Sequence, residues 1–134
     1  MSKIVIDASV CGAWMLARGP DEGASDTLPL LRGSQGIVPD IWRYEVSNLL
    51  LVSVRQDALS RSEMYQRWLV LVRLRLVTVH MDVGPGLVDF ARQHGLSLYD
   101  AAYLQLARQE RAPLATLDKR LASAAIDAGI DVLA

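Results

Sequence analysis

The chain of 134 residues is long enough for one domain with a sizeable core and too short for two of ordinary size, so residues 1–134 are expected to form a single unit. Its residues are 51% hydrophobic and 22% charged, and no apolar run reaches the roughly 18 residues that cross a bilayer, which excludes disordered and membrane-spanning classes. A formal net charge of −1 excludes a broad attraction to polyanions, so any nucleic-acid contact needs a local basic patch.

The run KIVID, residues 3–7, is continuously apolar and ends in an acid, the pattern of a strand buried on both faces. Its single preceding Lys and short apolar stretch do not make a signal peptide. Ser9 can cap a helix through about Leu16, stopped near Gly19 and Pro20. Within it Cys11, the lone cysteine, excludes an internal disulfide and any cysteine-rich metal site; it fits a reducing cytoplasm and reads as a small buried hydrophobe. A second helix over 21–32 carries Pro29 in its interior. After GIVPD a long helix runs from about Asp40 to Arg55, and another from Ser60 to about Arg73 opens with a Ser60–Glu63 capping box.

RLVTVH reads as a strand, followed by a helix over about 85–94 that Gly95 ends. The helix begun by SLYD continues to about Arg111, ahead of Pro113. PLATLD is a short strand ending in an acid, KRLASAAIDAG a helix ended by Gly129, and IDVL a last strand. Strands alternating with helices imply an α/β fold, a three-layer α/β/α sandwich around a mainly parallel sheet, with ligands gathered outside the carboxyl ends of the strands.

Four acids fall where acids are costly. Asp7 and Asp118 end two strands that parallel alignment brings to one sheet edge. Glu45 shares the helical register of Ile41, Leu49 and Val52, and Asp100 that of Tyr103, Leu104 and Ala107. Each has an ordinary alternative. Asp7, Asp100 and Asp118 can cap helices, and Glu45 can reach out from the edge of its stripe or pair with Arg43 or Arg55. Taken together, unpaired carboxylates in low dielectric repel one another and either hold protons or recruit a cation. An all-oxygen donor set suits Mg2+ or Mn2+, whereas His80 and His94 lack zinc-ligand spacing and read as structural. Such a metal at a sheet edge suits phosphodiester hydrolysis.

These residues resemble a known family, the PIN-domain ribonucleases, and within it the VapC-type toxins of bacterial toxin–antitoxin pairs. VIDASV is similar to the opening strand with its first acid and hydroxyl, Asp7 and Ser9; VPDIWRYEVSNLL to the helix bearing Glu45; LSLYDAAYLQLA to the motif of Asp100; PLATLDKRL to the last motif, with Asp118. Leu117 stands where many relatives have Asn. The resemblance implies a PIN-like sandwich and a Mg2+- or Mn2+-dependent endoribonuclease, restrained by a small cognate antitoxin and working as a homodimer. It implies Asp7 and Asp100 as principal metal ligands, with Glu45 and Asp118 completing the acidic pocket. Ser9 or Thr116 would hydrogen-bond a carboxylate or the scissile phosphate, and water attack would leave 5'-phosphate and 3'-hydroxyl ends.

An acidic pocket repels RNA, so cations must flank it, and Arg43, Lys119 and Arg120 are the nearest in sequence to the acids. Trp14, Trp42 and Trp68 can stack bases, but their helical settings favour packing. The stretch WLVLVRLRL, residues 68–76, reads as core first and as a partner surface second. Two rival functions stand beside the nuclease. A haloacid-dehalogenase-like phosphatase would use Asp7 as nucleophile, although the acid usual two residues on is Ser9 here. A non-catalytic PIN-like binding module would tolerate loss of acids that this chain retains.

Overall fold

The computed structural model describes residues 2–16 and 31–133. The helix expected over 21–32 lies almost wholly outside them, as do Gly19, Pro20 and Pro29. The elements in chain order are β1 (Ser2–Ile6), α1 (Ala8–Leu16), β2 (Ser34–Pro39), α2 (Trp42–Arg55), α3 (Arg61–Arg73), β3 (Val77–Val79), α4 (Pro85–His94), α5 (Leu98–Glu110), β4 (Leu114–Ala115), α6 (Lys119–Asp127) and β5 (Val132–Leu133). The strand and helix expectations for these segments hold to within a residue or two at most ends.

All neighbouring strands pair in parallel, in the order β3-β2-β1-β4-β5. A parallel sheet needs both faces covered, and the helices do this in two packed groups, α1 with α2 and α3, and α5 with α4 and α6. The result is the expected three-layer sandwich. The order also matters for the site. From β1 the chain first builds outward to β2 and β3, then returns to β4 on the other side, so a topological switch point opens beside the carboxyl end of β1. Register places Ile6 opposite Ala115, so the residues that follow these strands, Asp7 and Thr116, emerge side by side.

The core follows the apolar runs. Ile4, Val5 and Ile6 of β1 are buried, as are Leu114 and Ala115 of β4 and the Tyr103, Leu104 and Ala107 face of α5. Trp42 reaches across from α2 to donate its indole N–H to the Cys11 sulfur at 3.3 Å, and Trp14 is buried in the same core, so these two tryptophans pack rather than face solvent. The Ser60–Glu63 capping box opens α3 as expected. Gly95, with φ 64, ends α4 in the left-handed region that glycine tolerates.

Two local expectations are corrected. Ser9 does not cap α1: the helix already starts at Ala8, where the Asp7 carbonyl accepts the Val10 amide at 3.0 Å, and the Ser9 hydroxyl is used elsewhere. The buried stripe of α2 is Trp42, Val46, Leu50 and Ser53 rather than Ile41, Glu45, Leu49 and Val52. Glu45 therefore lies on the shoulder of the stripe, half-buried, and Val52 faces solvent. The two registers differ by one position, about 100° of helix, and Ile41 and Leu49 of the expected stripe remain partly buried against the core. No helix among the described residues is long and apolar enough to cross a membrane.

Candidate active site

Asp7 follows β1 directly, and its amide donates to the Ala115 carbonyl at 2.9 Å, extending the β1–β4 ladder by one residue. The residue is only 4% exposed, so the carboxylate must be satisfied from within. Oδ2 accepts the Ser9 hydroxyl at 2.6 Å and the Thr116 hydroxyl at 2.8 Å. Each hydroxyl in turn accepts a backbone amide at 3.0 Å, Ser9 from Leu117 and Thr116 from Asp118. A hydroxyl has one proton and two lone pairs, so each gives its proton to Asp7 and receives the amide on a lone pair, which fixes the direction of both chains. Leu117 enters this network through its backbone, which needs no Asn side chain.

Glu45 comes from the shoulder of α2 and accepts the Tyr103 phenol on Oε1 at 2.7 Å. Burial raises its pKa, the charges of Asp7 and Asp100 raise it further, and the Tyr103 hydrogen bond opposes both. The same burial and the Glu45 charge push the Tyr103 phenol far above its ordinary range, so it remains a donor. Asp100 sits in the first turn of α5, where Ser97 caps the helix by accepting the Asp100 amide at 3.1 Å. Its pKa is raised by burial first and then by Asp118 and Asp7, with Ser97 and Arg120 pulling the other way. Asp118 caps α6: Oδ1 accepts the amides of Arg120 at 2.9 Å and Leu121 at 3.1 Å. Its capping role and its place in the pocket coexist.

All four acids line one open cavity of about 310 Å3 at the switch point, together with Ser9 and Asn48. The convergence expected from sequence is therefore present. None of the four forms an ion pair with Lys, Arg or His among the described residues. After burial, the charges of Asp7 and Asp100 raise the pKa of Glu45, and those of Asp118 and Asp7 raise that of Asp100, which is the field a divalent cation relieves, and an all-oxygen donor set matches Mg2+ or Mn2+ in kind. They are spread around the wall: among the described residues no three Asp, Glu, His or Cys side chains are gathered closely enough to hold one ion between them.

The expected flanking cations divide. Arg120 acts electrostatically on Asp100 and so stands near the pocket. Lys119, beside it, is exposed at the start of α6. Arg43 is also exposed but lines a neighbouring apolar cavity of about 190 Å3, with Tyr44, Val83 and Tyr99. His80 pairs with Asp40 at 3.0 Å and His94 packs its ring on Phe90, both away from the four acids. Two contributors were not read from sequence. Asn48 lies three residues after Glu45 on the same helical face, a spacing that was visible beside the acid. The pairing of Tyr103 with Glu45 spans 58 residues and left no local signal.

Residues 4–127 match the PIN domain family. A curated relative, Ribonuclease VapC3 of Pyrobaculum aerophilum, is 30% identical over 125 residues, 90% of this chain and 92% of that protein. Among solved structures, that of PAE2754 from Pyrobaculum aerophilum superposes with a TM-score of 0.72 at 17% identity, over 92% of this chain and 79% of the other. A PilT N-terminus domain protein, SSO1118, from Sulfolobus solfataricus gives 0.54 at 13% identity, over 98% and 85% of the two chains. A domain from Methanocaldococcus jannaschii gives 0.56 at 15%, over 99% and 90%. At these identities the structures speak for the fold, while the match over nearly the whole sequence assigns the lineage: the chain belongs to the PIN-domain family.

Proposed function

We propose that this protein is a Mg2+- or Mn2+-dependent endoribonuclease and the toxin of a toxin–antitoxin pair, cutting RNA phosphodiesters to 5'-phosphate and 3'-hydroxyl ends. The observation that carries this reading is the single cavity walled by Asp7, Glu45, Asp100 and Asp118, acids from four separate segments with no cationic side chain paired to any of them among the described residues. The likeness to a ribonuclease named VapC3 over 90% of the chain supports the same conclusion.

Asp7 and Asp100 are the principal residues to hold the cation, with Glu45 and Asp118 completing the acidic wall. A divalent ion bound there neutralises phosphate charge and activates water for attack at neutral pH. Ser9 and Thr116 keep Asp7 in one orientation by holding Oδ2, which leaves Oδ1 for the pocket. Asn48 adds an uncharged amide donor beside the four acids of the wall, suited to a phosphate oxygen. Lys119 and Arg120, at the rim, and Arg43, further along the surface, draw the RNA backbone toward a pocket that would repel it. Ser9 occupies the position where an aspartyl-phosphate enzyme carries its second acid, and its proton is committed to Asp7, which favours hydrolysis by water over nucleophilic attack by Asp7.

The partners are the RNA substrate, a small antitoxin and a second copy of the chain, in the cytoplasm. Apolar side chains left in solvent support protein partners: Tyr65, Leu69 and Val72 form an i, i+4, i+7 stripe on α3, and Tyr44, Val83 and Tyr99 rim the 190 Å3 cavity. The test is cleavage of RNA by the purified protein with end mapping. Discrete cuts that vanish in EDTA and in Asp7→Asn and Asp100→Asn are expected; full activity in either condition overturns the reading. Growth arrest on induction, relieved by co-expression of the neighbouring small gene, tests the toxin role.

A further inference from the structure

We infer that Tyr103 is a positioning residue for the cation site, holding Glu45 through its phenol so that one carboxylate oxygen is fixed and the other is presented to the pocket. The inference rests on the proposed metal-dependent reading and adds to it a residue that touches neither cation nor RNA.

Three observations carry it. The Tyr103 side chain has no solvent exposure, so its hydroxyl must find an acceptor inside the protein, and it takes Oε1 of Glu45 at 2.7 Å. Tyr103 lies one turn after Asp100 on α5, while Glu45 stands on α2, so this bond ties together the two helices that bring these acids to the cavity. Glu45 itself is not rooted in the apolar stripe of α2, whose buried members are Trp42, Val46, Leu50 and Ser53. A glutamate on the shoulder of a helix has three free side-chain torsions, and packing against one edge does not choose among their rotamers. The phenol is its one hydrogen-bond partner among the described side chains. A group that orients a metal-binding carboxylate in this way commonly changes metal affinity when it is removed, even though it never meets the ion.

Tyr103→Phe is the informative substitution, because it keeps the ring and its packing and removes only the donor, and because Glu45 is exposed enough for water to replace the lost bond. Mn2+ is titrated calorimetrically, into the millimolar range, against wild type, Tyr103→Phe, Glu45→Gln and the double variant, with far-UV circular dichroism as the check on fold. Tyr103→Phe should weaken Mn2+ binding about tenfold with an unchanged spectrum. In the Glu45→Gln background the same substitution should change the affinity less than twofold, since its effect passes through the carboxylate. Tyr99→Phe, on the exposed side of the same helix, should bind as wild type does. Wild-type affinity in Tyr103→Phe overturns the inference while leaving the nuclease reading intact. So does a loss that recurs undiminished without the Glu45 carboxylate, which would mark Tyr103 as general packing. A wild type that binds no Mn2+ overturns the nuclease reading and this inference with it.

Discussion

Thr116 donates its hydroxyl to Oδ2 of Asp7 at 2.8 Å across adjoining strands, while accepting the Asp118 amide at 3.0 Å, so one side chain links the first acid of the site to the backbone of the last. Ser9 repeats the arrangement from the other side, between Asp7 and the Leu117 amide. The carboxylate that is most buried is thus also the one most fully determined in orientation.

Thr116→Val keeps the shape of the side chain and removes both bonds. It leaves a buried carboxylate short of a donor and a half-buried amide short of an acceptor, and should cost about 1–3 kcal/mol in urea unfolding. Cleavage should fall about 10- to 100-fold, because Asp7 is then free to turn. Ser9→Ala should act in the same direction. A Thr116→Val protein with wild-type rate would remove the orienting role of this network.

Glu45 and Asp100 both hold their protons more tightly in the folded chain than in the unfolded one. Between the ordinary carboxylate pKa near 4 and the raised folded values, the native state binds more protons, so stability falls as pH rises through that window and the penalty is complete above it. In EDTA at pH 7, Glu45→Gln and Asp100→Asn should therefore unfold at higher urea than wild type, by less than about 1 kcal/mol each because both groups are partly solvated and screened. The difference should vanish below about pH 4. Mn2+ at a hundredfold excess over its dissociation constant should reverse the ranking by stabilising wild type about 2.7 kcal/mol.

Asp118 both caps α6 and lines the four-acid cavity, and different substitutions separate the cap from the charge. Asn caps a helix about as well as Asp, so Asp118→Asn should leave stability within about 0.5 kcal/mol, whereas Asp118→Ala exposes the α6 amides and should cost about 1 kcal/mol. Both remove the charge and should lower cleavage to a similar extent. An active Asp118→Asn would confine this residue to capping.

Arg120 influences Asp100 from the rim, and Lys119 lies beside it. Charge reversal at Arg120, measured by RNA binding in EDTA, should weaken affinity at low salt and reduce the slope of log affinity against log salt by about one or more. Arg43→Glu, further from the acids, should have the smaller effect. Equal slopes in wild type and Arg120→Glu would exclude a phosphate contact.

The Cys11 thiol is pushed up to about 12 by burial, with Asp7 adding to the shift and the Trp42 hydrogen bond opposing it. The thiolate is the reactive form, so iodoacetamide at pH 8 should leave the native protein unlabelled over hours and modify it promptly in urea. Fast native labelling would show that the α1–α2 packing opens.

Much of this molecule is determined along the chain. Continuous apolar runs ending in Asp7 and Asp118, the Ser60–Glu63 box and Gly95 set strands, helices and their ends, because periodicity, capping and the left-handed conformation are properties of a few adjacent residues. The alternation of elements then requires a parallel sheet, and a parallel sheet requires its strand-end acids to lie on one edge. Local pattern could not decide between neighbouring registers on α2, where the buried stripe runs through Trp42 and leaves Glu45 on the shoulder of the helix, nor which of two uses the Ser9 hydroxyl would take. Tertiary structure alone chose the bonds Tyr103 to Glu45 and Thr116 to Asp7, across 58 and 109 residues. A side-chain period names the face a residue occupies, but strand order and helix packing determine what that face meets.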